Sequence, residues 1–127
     1  MSDKLKHIEE LAALFNKPGD STPFGIDAQA IEPMMQKIVE EQIKYKPICA
    51  VNHWVIWRVD EADDLIVLKG DVLFHSLGHR EPGNWVRTSP LISFRYNCVF
   101  ETKNTVYLMV GPGTMKDVPA RSVLAFL

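Results

Sequence analysis

A chain of 127 residues is shorter than a typical domain of about 150, which predicts one domain built on one core. Its 46% hydrophobic and 24% charged residues are ordinary for a globular fold and exclude disorder, collagen and coiled coil as descriptions. With 14 Lys and Arg against 16 Asp and Glu the formal charge is −2, so no basic excess is present to condense onto phosphates, and nucleic acid is not a default partner.

The first 47 residues read as a helical part. Leu5, Ile8, Leu11, Ala12 and Phe15 recur at three- and four-residue steps, which places them on one face of a first helix. Asn16-Lys17-Pro18-Gly19 ends it, and the turn-rich loop Asp20-Ser21-Thr22-Pro23-Phe24-Gly25 follows. A second helix starting at Asp27 or Glu32 carries Ile31, Met34, Met35, Ile38, Val39, Gln42 and Ile43 on one face. Pro33 fits its first turn, where a missing N–H costs nothing. Lys44-Tyr45-Lys46-Pro47 is expected to close it, with cations at the negative end of the dipole.

Residues 48–127 change period from about 3.6 to 2, with β-branched and aromatic residues between frequent turns. Predicted strands are Cys49–Val59, Leu65–Leu68 continuing irregularly to Phe74, Trp85–Thr88, Leu91–Phe94, Cys98–Thr102 and Thr105–Val110. Asp60-Glu61-Ala62-Asp63-Asp64 lacks the glycine and distal glutamate of a calcium loop and reads as a solvated turn. Lys103-Asn104 reads as a tight hairpin turn, and Gly111-Pro112-Gly113 as the turn that exits the last strand. The strand from Cys49 carries mixed polarity on both faces, so both are expected to be covered. The expected fold is α+β: two N-terminal helices on an antiparallel sheet of about five or six strands, able to curl into a partly open small barrel.

No apolar run approaches the roughly 18 residues that span a bilayer, and the start Ser2-Asp3-Lys4-Leu5-Lys6-His7 is too polar for a signal peptide. A cytoplasmic protein with no membrane partner is expected. Cys49 and Cys98 fall in no metal or redox spacing and read as buried thiols.

Catalytic constellations are weak. His53, His75 and His79 are the candidate metal ligands, yet the four-residue step from His75 to His79 shares a face only on a helix, and this stretch is β-like. A nucleophile would be Ser89, Ser93 or Cys98, with His53 or His75 as base and Asp71 orienting it, but no strand–elbow–helix signature surrounds any of them. Gly111-Pro112-Gly113-Thr114-Met115-Lys116 departs from phosphate-loop spacing, and Pro112 removes an amide donor. No cofactor is implied. Trp54, Trp57, Trp85, Phe94, Tyr96 and Tyr107 interleave with Arg58, Arg87, Arg95 and Lys103, a pattern that suits single-stranded nucleic acid or a protein hot spot.

The densest stretch is Gly83-Asn84-Trp85-Val86-Arg87-Thr88-Ser89-Pro90-Leu91-Ile92-Ser93-Phe94, followed by Phe100-Glu101-Thr102-Lys103-Asn104-Thr105-Val106-Tyr107 and Gly111-Pro112-Gly113. It resembles a block found in uncharacterised small proteins of bacterial genomes, prophages and mobile elements. The resemblance covers about residues 83–113 and implies no particular activity. Pro90 forces Ser89 into an extended or turn conformation. If the two flanking strands pair, Arg87 meets Glu101, and the Thr, Ser and Asn side chains bond the backbone at a corner. Alternatively Arg87, Thr88, Ser89, Arg95, Tyr96, Glu101 and Asn104 form a recognition surface. The functional expectation is a non-enzymatic interaction or regulatory module, an accessory protein of a phage or mobile element that binds a host protein. The alternatives are a nucleic-acid-binding small barrel and, behind it, a histidine-dependent metalloenzyme or hydrolase. Self-association into a homo-oligomer is left open.

Overall fold

In the computed structural model, which describes residues 19–59 and 65–119, the change of period after Pro47 marks the strand around which everything else is arranged. The eight strands among the described residues are β1 (Asp20–Ser21), β2 (Ile48–Val59), β3 (Ile66–His75), β4 (Trp85–Arg87), β5 (Ser93–Arg95), β6 (Val99–Glu101), β7 (Val106–Met109) and β8 (Thr114–Val118). They form one sheet that curls into a half-barrel. The α-helix among the described residues, α1, spans Ile31–Glu41 behind a 3-10 turn at Ala28–Ala30. The first predicted helix and the acidic turn 60–64 lie outside the described residues. Among the described residues no helix is long and apolar enough to cross a membrane.

Helix α1 keeps Pro33 in its first turn, as its missing N–H requires. It stops at Glu41, with Gln42 as C-cap and no basic residue in the last turn, so Lys44 and Lys46 do not serve the dipole as expected. They lie in the segment that leads into β2.

The sheet differs from the expected antiparallel one of five or six strands because two of its contacts are parallel. Along one edge β2 pairs antiparallel with β3. Along the other it pairs parallel first with β7, from Ile48↔Val106 to Val51↔Met109, and then with β8, from Val55↔Thr114 to Val59↔Val118. Strands β7 and β8 are thus successive pieces of one neighbour, and Gly111-Pro112-Gly113 is the link between them rather than an exit from the sheet. The short β1 pairs with the far side of β8.

A register irregularity between Asn52 and Val55, with His53 at φ 50°, explains the mixed polarity read in β2. A bulge inserts one residue and shifts the alternation to the other phase. Before it, Cys49 and Val51 face the concave core; after it, Trp54 and Ile56 do. Ile48 and Ala50 face α1 on the convex side, around Ile38, Cys98, Val99, Val106 and Leu108. Trp57 and Val59 bury themselves with Val67 and Val118 in a third cluster.

The half-barrel is drawn together by the segment after β4. Thr88 N donates to Leu68 O and Leu91 N to Ile66 O, so the chain stays on β3 as far as Leu91, and then Ile92 N donates to Glu101 O on β6. Thr88 is 1% exposed; its hydroxyl accepts from Leu68 N at 2.9 Å and donates to Ser89 O at 2.8 Å. The Thr-Ser-Pro corner is therefore a strap between two strands that are not neighbours in the sheet, with its buried hydroxyl fully bonded.

Candidate functional site

Where the C-terminal end of α1 meets the β5–β6 hairpin, a cleft of about 400 Å³ opens, lined by Glu41, Gln42, Ile43, Lys44, Lys46, Arg95, Glu101 and Val106. Its floor is a three-residue ion cluster. Glu101 accepts from Lys46 Nζ at 2.6 Å on Oε2 and from Arg95 Nη1 at 2.7 Å on Oε1. Lys46 also donates to Thr102 O at 2.9 Å, and Arg95 Nη1 to Ser93 Oγ at 3.0 Å. These side chains are half-buried, which makes the pairs stronger than freely solvated ones. Gln42 brackets the backbone of Lys46, donating to its carbonyl and accepting from its amide, and so fixes the lysine's entry to the cleft.

The wall is held by a turn that costs conformational energy. Tyr96 and Asn97 both lie at positive φ, 55° and 59°, in the hairpin closed by Cys98 N donating to Arg95 O. A two-residue hairpin favours this geometry because it matches strand twist, but the position prefers Asn or Gly over a tyrosine. Two contacts to α1 offset that cost: the Tyr96 hydroxyl donates to Glu41, and Lys37 Nζ lies 4.1 Å from the ring centroid. The ring thereby ties the hairpin to the helix, and hydrogen bonding to Glu41 raises the phenol's pKa.

The Lys46 hydrogen bond, joined by Arg95 and opposed by burial, holds the Glu101 carboxyl below its ordinary value of 4.5. A folded-state value below the unfolded one means that the pair's stabilisation is present above about pH 4.5 and is lost as pH falls through the lower, folded value. Thermal melts between about pH 6 and about pH 3 are expected to drop more for the native chain than for Glu101→Gln. Equal slopes would assign the acid loss to other carboxylates.

A family described as a domain of unknown function, DUF6957, matches residues 25–125, which takes in α1, strands β2 to β8 and every residue lining the cleft. The chain belongs to the DUF6957 family. No curated protein and no solved structure matches it.

Of the residues singled out from sequence, this DUF6957 fold places Arg95 and Glu101 in the lining of the cleft, with Tyr96 beside it through its bond to Glu41. Arg87 does not meet Glu101: β4 pairs with β3 on the opposite limb of the sheet, and Arg87 Nη1 donates to Thr88 O. The condition for that contact, pairing of the two flanking strands, is not met: β6 takes β5 and β7. Thr88 is structural, Ser89 is exposed at the strap, and Asn104 sits in the β6–β7 turn, closed by Thr102 N donating to Thr105 O. The sequence does not reveal Lys46, Glu41 and Gln42 as cleft residues: Lys46 reads there as a cation at the helix end, and nothing local signals that it reaches Glu101.

In the DUF6957 domain His75 and His79 stack with ring centroids 5.2 Å apart, while His53 pairs separately with Asp71. His53, on the bulge, lies with Nδ1 3.1 Å from Asp71 Oδ2. His75 Nδ1 instead accepts from the amides of Leu77 and His79, and burial, then His79 and Arg80, push its pKa down. Among the described residues no group of three His, Cys, Asp or Glu side chains is placed to hold a metal ion. Ser93 accepts from Arg95 rather than meeting an imidazole. Cys49 and Cys98 are buried, and burial pushes each thiol up to about 11, a range in which little nucleophilic thiolate forms.

Proposed function

We propose that this chain is a non-enzymatic interaction module, an accessory protein of a phage or mobile element, that binds a host protein through the α1/β5–β6 cleft. The observation that carries the reading is the makeup of that surface. Ile43 is fully exposed and Tyr96 is 40% exposed, beside Arg95 and Lys46 and around a preformed cleft. Tyr and Arg dominate protein hot spots, because they combine a large apolar contact with directional donors. The mobile-element role rests on the resemblance of the 83–113 block alone.

Two observations weigh against the alternatives. Trp54, Trp57 and Tyr107 are at most 5% exposed, so three of the rings that would stack nucleic-acid bases belong to the core. The exposed Trp85 lies on β4, away from Tyr96, so among the described residues these two rings do not form a continuous platform of the kind single strands use. For an enzyme, the His53–Asp71 pair lacks a bonded nucleophile among the described residues.

The test is affinity capture of the tagged chain from host lysate after nuclease treatment, comparing the native chain with Arg95→Glu, Tyr96→Ala and Arg87→Glu, each checked for a native melt. One protein retained by the native chain and Arg87→Glu, and reduced about tenfold or more by Arg95→Glu and Tyr96→Ala, is expected. Retention that is nuclease-sensitive, or identical across the folded variants, would overturn the reading.

A further inference from the structure

Resting on that reading, we infer that the group the cleft receives from its partner is a carboxylate, carried by an acidic segment of the partner chain. The argument begins with how the cluster is already occupied. Glu101 places one oxygen on each cation, so its single negative charge is shared between two positive ones, and both cations keep donors to spare. Lys46 uses two of its three donors, on Glu101 and Thr102. Arg95 makes both of its side-chain hydrogen bonds through Nη1. Its Nε and Nη2 edge makes no hydrogen bond to the described residues, and that edge is the guanidinium fork that matches a carboxylate's two oxygens.

The charge count points the same way. The lining holds three cations, Lys44, Lys46 and Arg95, against two carboxylates, Glu41 and Glu101. Both carboxylates are engaged, Glu41 by the Tyr96 hydroxyl and Glu101 by the cations. The surplus is one positive charge, which a single carboxylate neutralises. A phosphate of charge near −2 concentrates both charges at one point between Glu41 and Glu101, whereas an acidic peptide places one carboxylate in the cleft and keeps its others outside. The cleft volume of about 400 Å³ admits a side chain with its backbone, and Ile43 on the rim offers an apolar contact to the residue beside the acid.

The experiment uses the full chain, labelled with ¹⁵N, and a tetraglutamate peptide blocked at both ends, so that its only carboxylates are side chains. The Arg95 Nε–H resonance is expected to shift saturably with tetraglutamate, to ignore blocked tetraglutamine, and to respond more weakly to inorganic phosphate. Lys44 lines the cleft and is exposed, so Lys44→Ala leaves the core intact and is expected to weaken binding about threefold. Glu101→Gln removes the internal competitor and is expected to tighten it about fivefold, with salt weakening both. Should Glu101→Gln fail to fold, Lys44→Ala and the tetraglutamine comparison decide. An equal response to tetraglutamine, a phosphate response as strong as that of glutamate, or no response at all overturns the inference. If tetraglutamate fails while capture of a host protein still depends on Arg95, the interaction reading stands and only the carboxylate is wrong. Loss of Arg95-dependent capture ends both.

Discussion

Trp54→Ala is expected to lower the free energy of unfolding by about 3–5 kcal/mol, at the upper end for a single core truncation. Trp54 is 1% exposed and stands where the neighbour of β2 changes from β7 to β8. The link Gly111-Pro112-Gly113 would otherwise leave a gap in the sheet there. The indole fills it, and its Nε1 donates to Gly111 O at 3.0 Å. Truncation therefore removes three things together: the ring's contacts with the concave core, the filling behind the link, and the donor to a carbonyl that makes no ladder bond. A small domain with about 5–15 kcal/mol in hand should remain folded at low temperature, with a much reduced urea midpoint and an unchanged slope. Trp54→Phe keeps most of the volume and loses the N–H, so a smaller loss of about 1–2 kcal/mol is expected. A cost below about 1 kcal/mol for the alanine variant would show that the seam closes without the ring.

The same bulge that places Trp54 also limited what was legible beforehand. Alternation predicts which side of a strand is buried, and it located β2, β3, β6 and β7 to within a residue or two. It carries no information about partner or direction, which is why the parallel pairing of β2 with β7 and β8 was not foreseen. β8 itself, Thr-Met-Lys-Asp-Val, shows one buried residue in five, because it lies one strand in from the edge with only the two-residue β1 beyond it, which asks little of its side chains. The strap at Thr88–Ile92 was partly legible, since Pro90 excludes helix at Ser89 and a Thr-Ser pair favours bonds to nearby backbone. At the cleft, Arg95 and Tyr96 were readable as residue types suited to recognition. Lys46 was not, because its contact with Glu101 spans 55 positions and depends on the helix ending at Glu41, short of the end of its apolar stripe at Ile43.

Gly113→Ala and Gly25→Ala separate the parts that ring and backbone play in this seam. At Gly113 an added methyl carbon would fall 2.2 Å from Cδ2 of Trp54 and 2.4 Å from two further ring atoms, a distance no packing adjustment of a few tenths of an ångström relieves. A cost of about 2–3 kcal/mol is expected, from displacement of an indole that is wedged against the core and hydrogen-bonded. At Gly25 the added carbon would meet Gly111 O at 2.3 Å, and the residue sits at φ +100°, where any side chain is strained. Both substitutions are thus costly in the native background, but for different reasons. In a Trp54→Ala background the obstacle at Gly113 is gone, so Gly113→Ala should become nearly neutral. The double-mutant cycle should then return a coupling of about 2 kcal/mol between the two positions. Gly25→Ala should stay costly in that background, because the positive φ of +100° does not depend on the indole. If Gly113→Ala costs the same with and without the ring, the seam is held by the conformation of the Gly-Pro-Gly link itself, and Trp54 only fills space beside it.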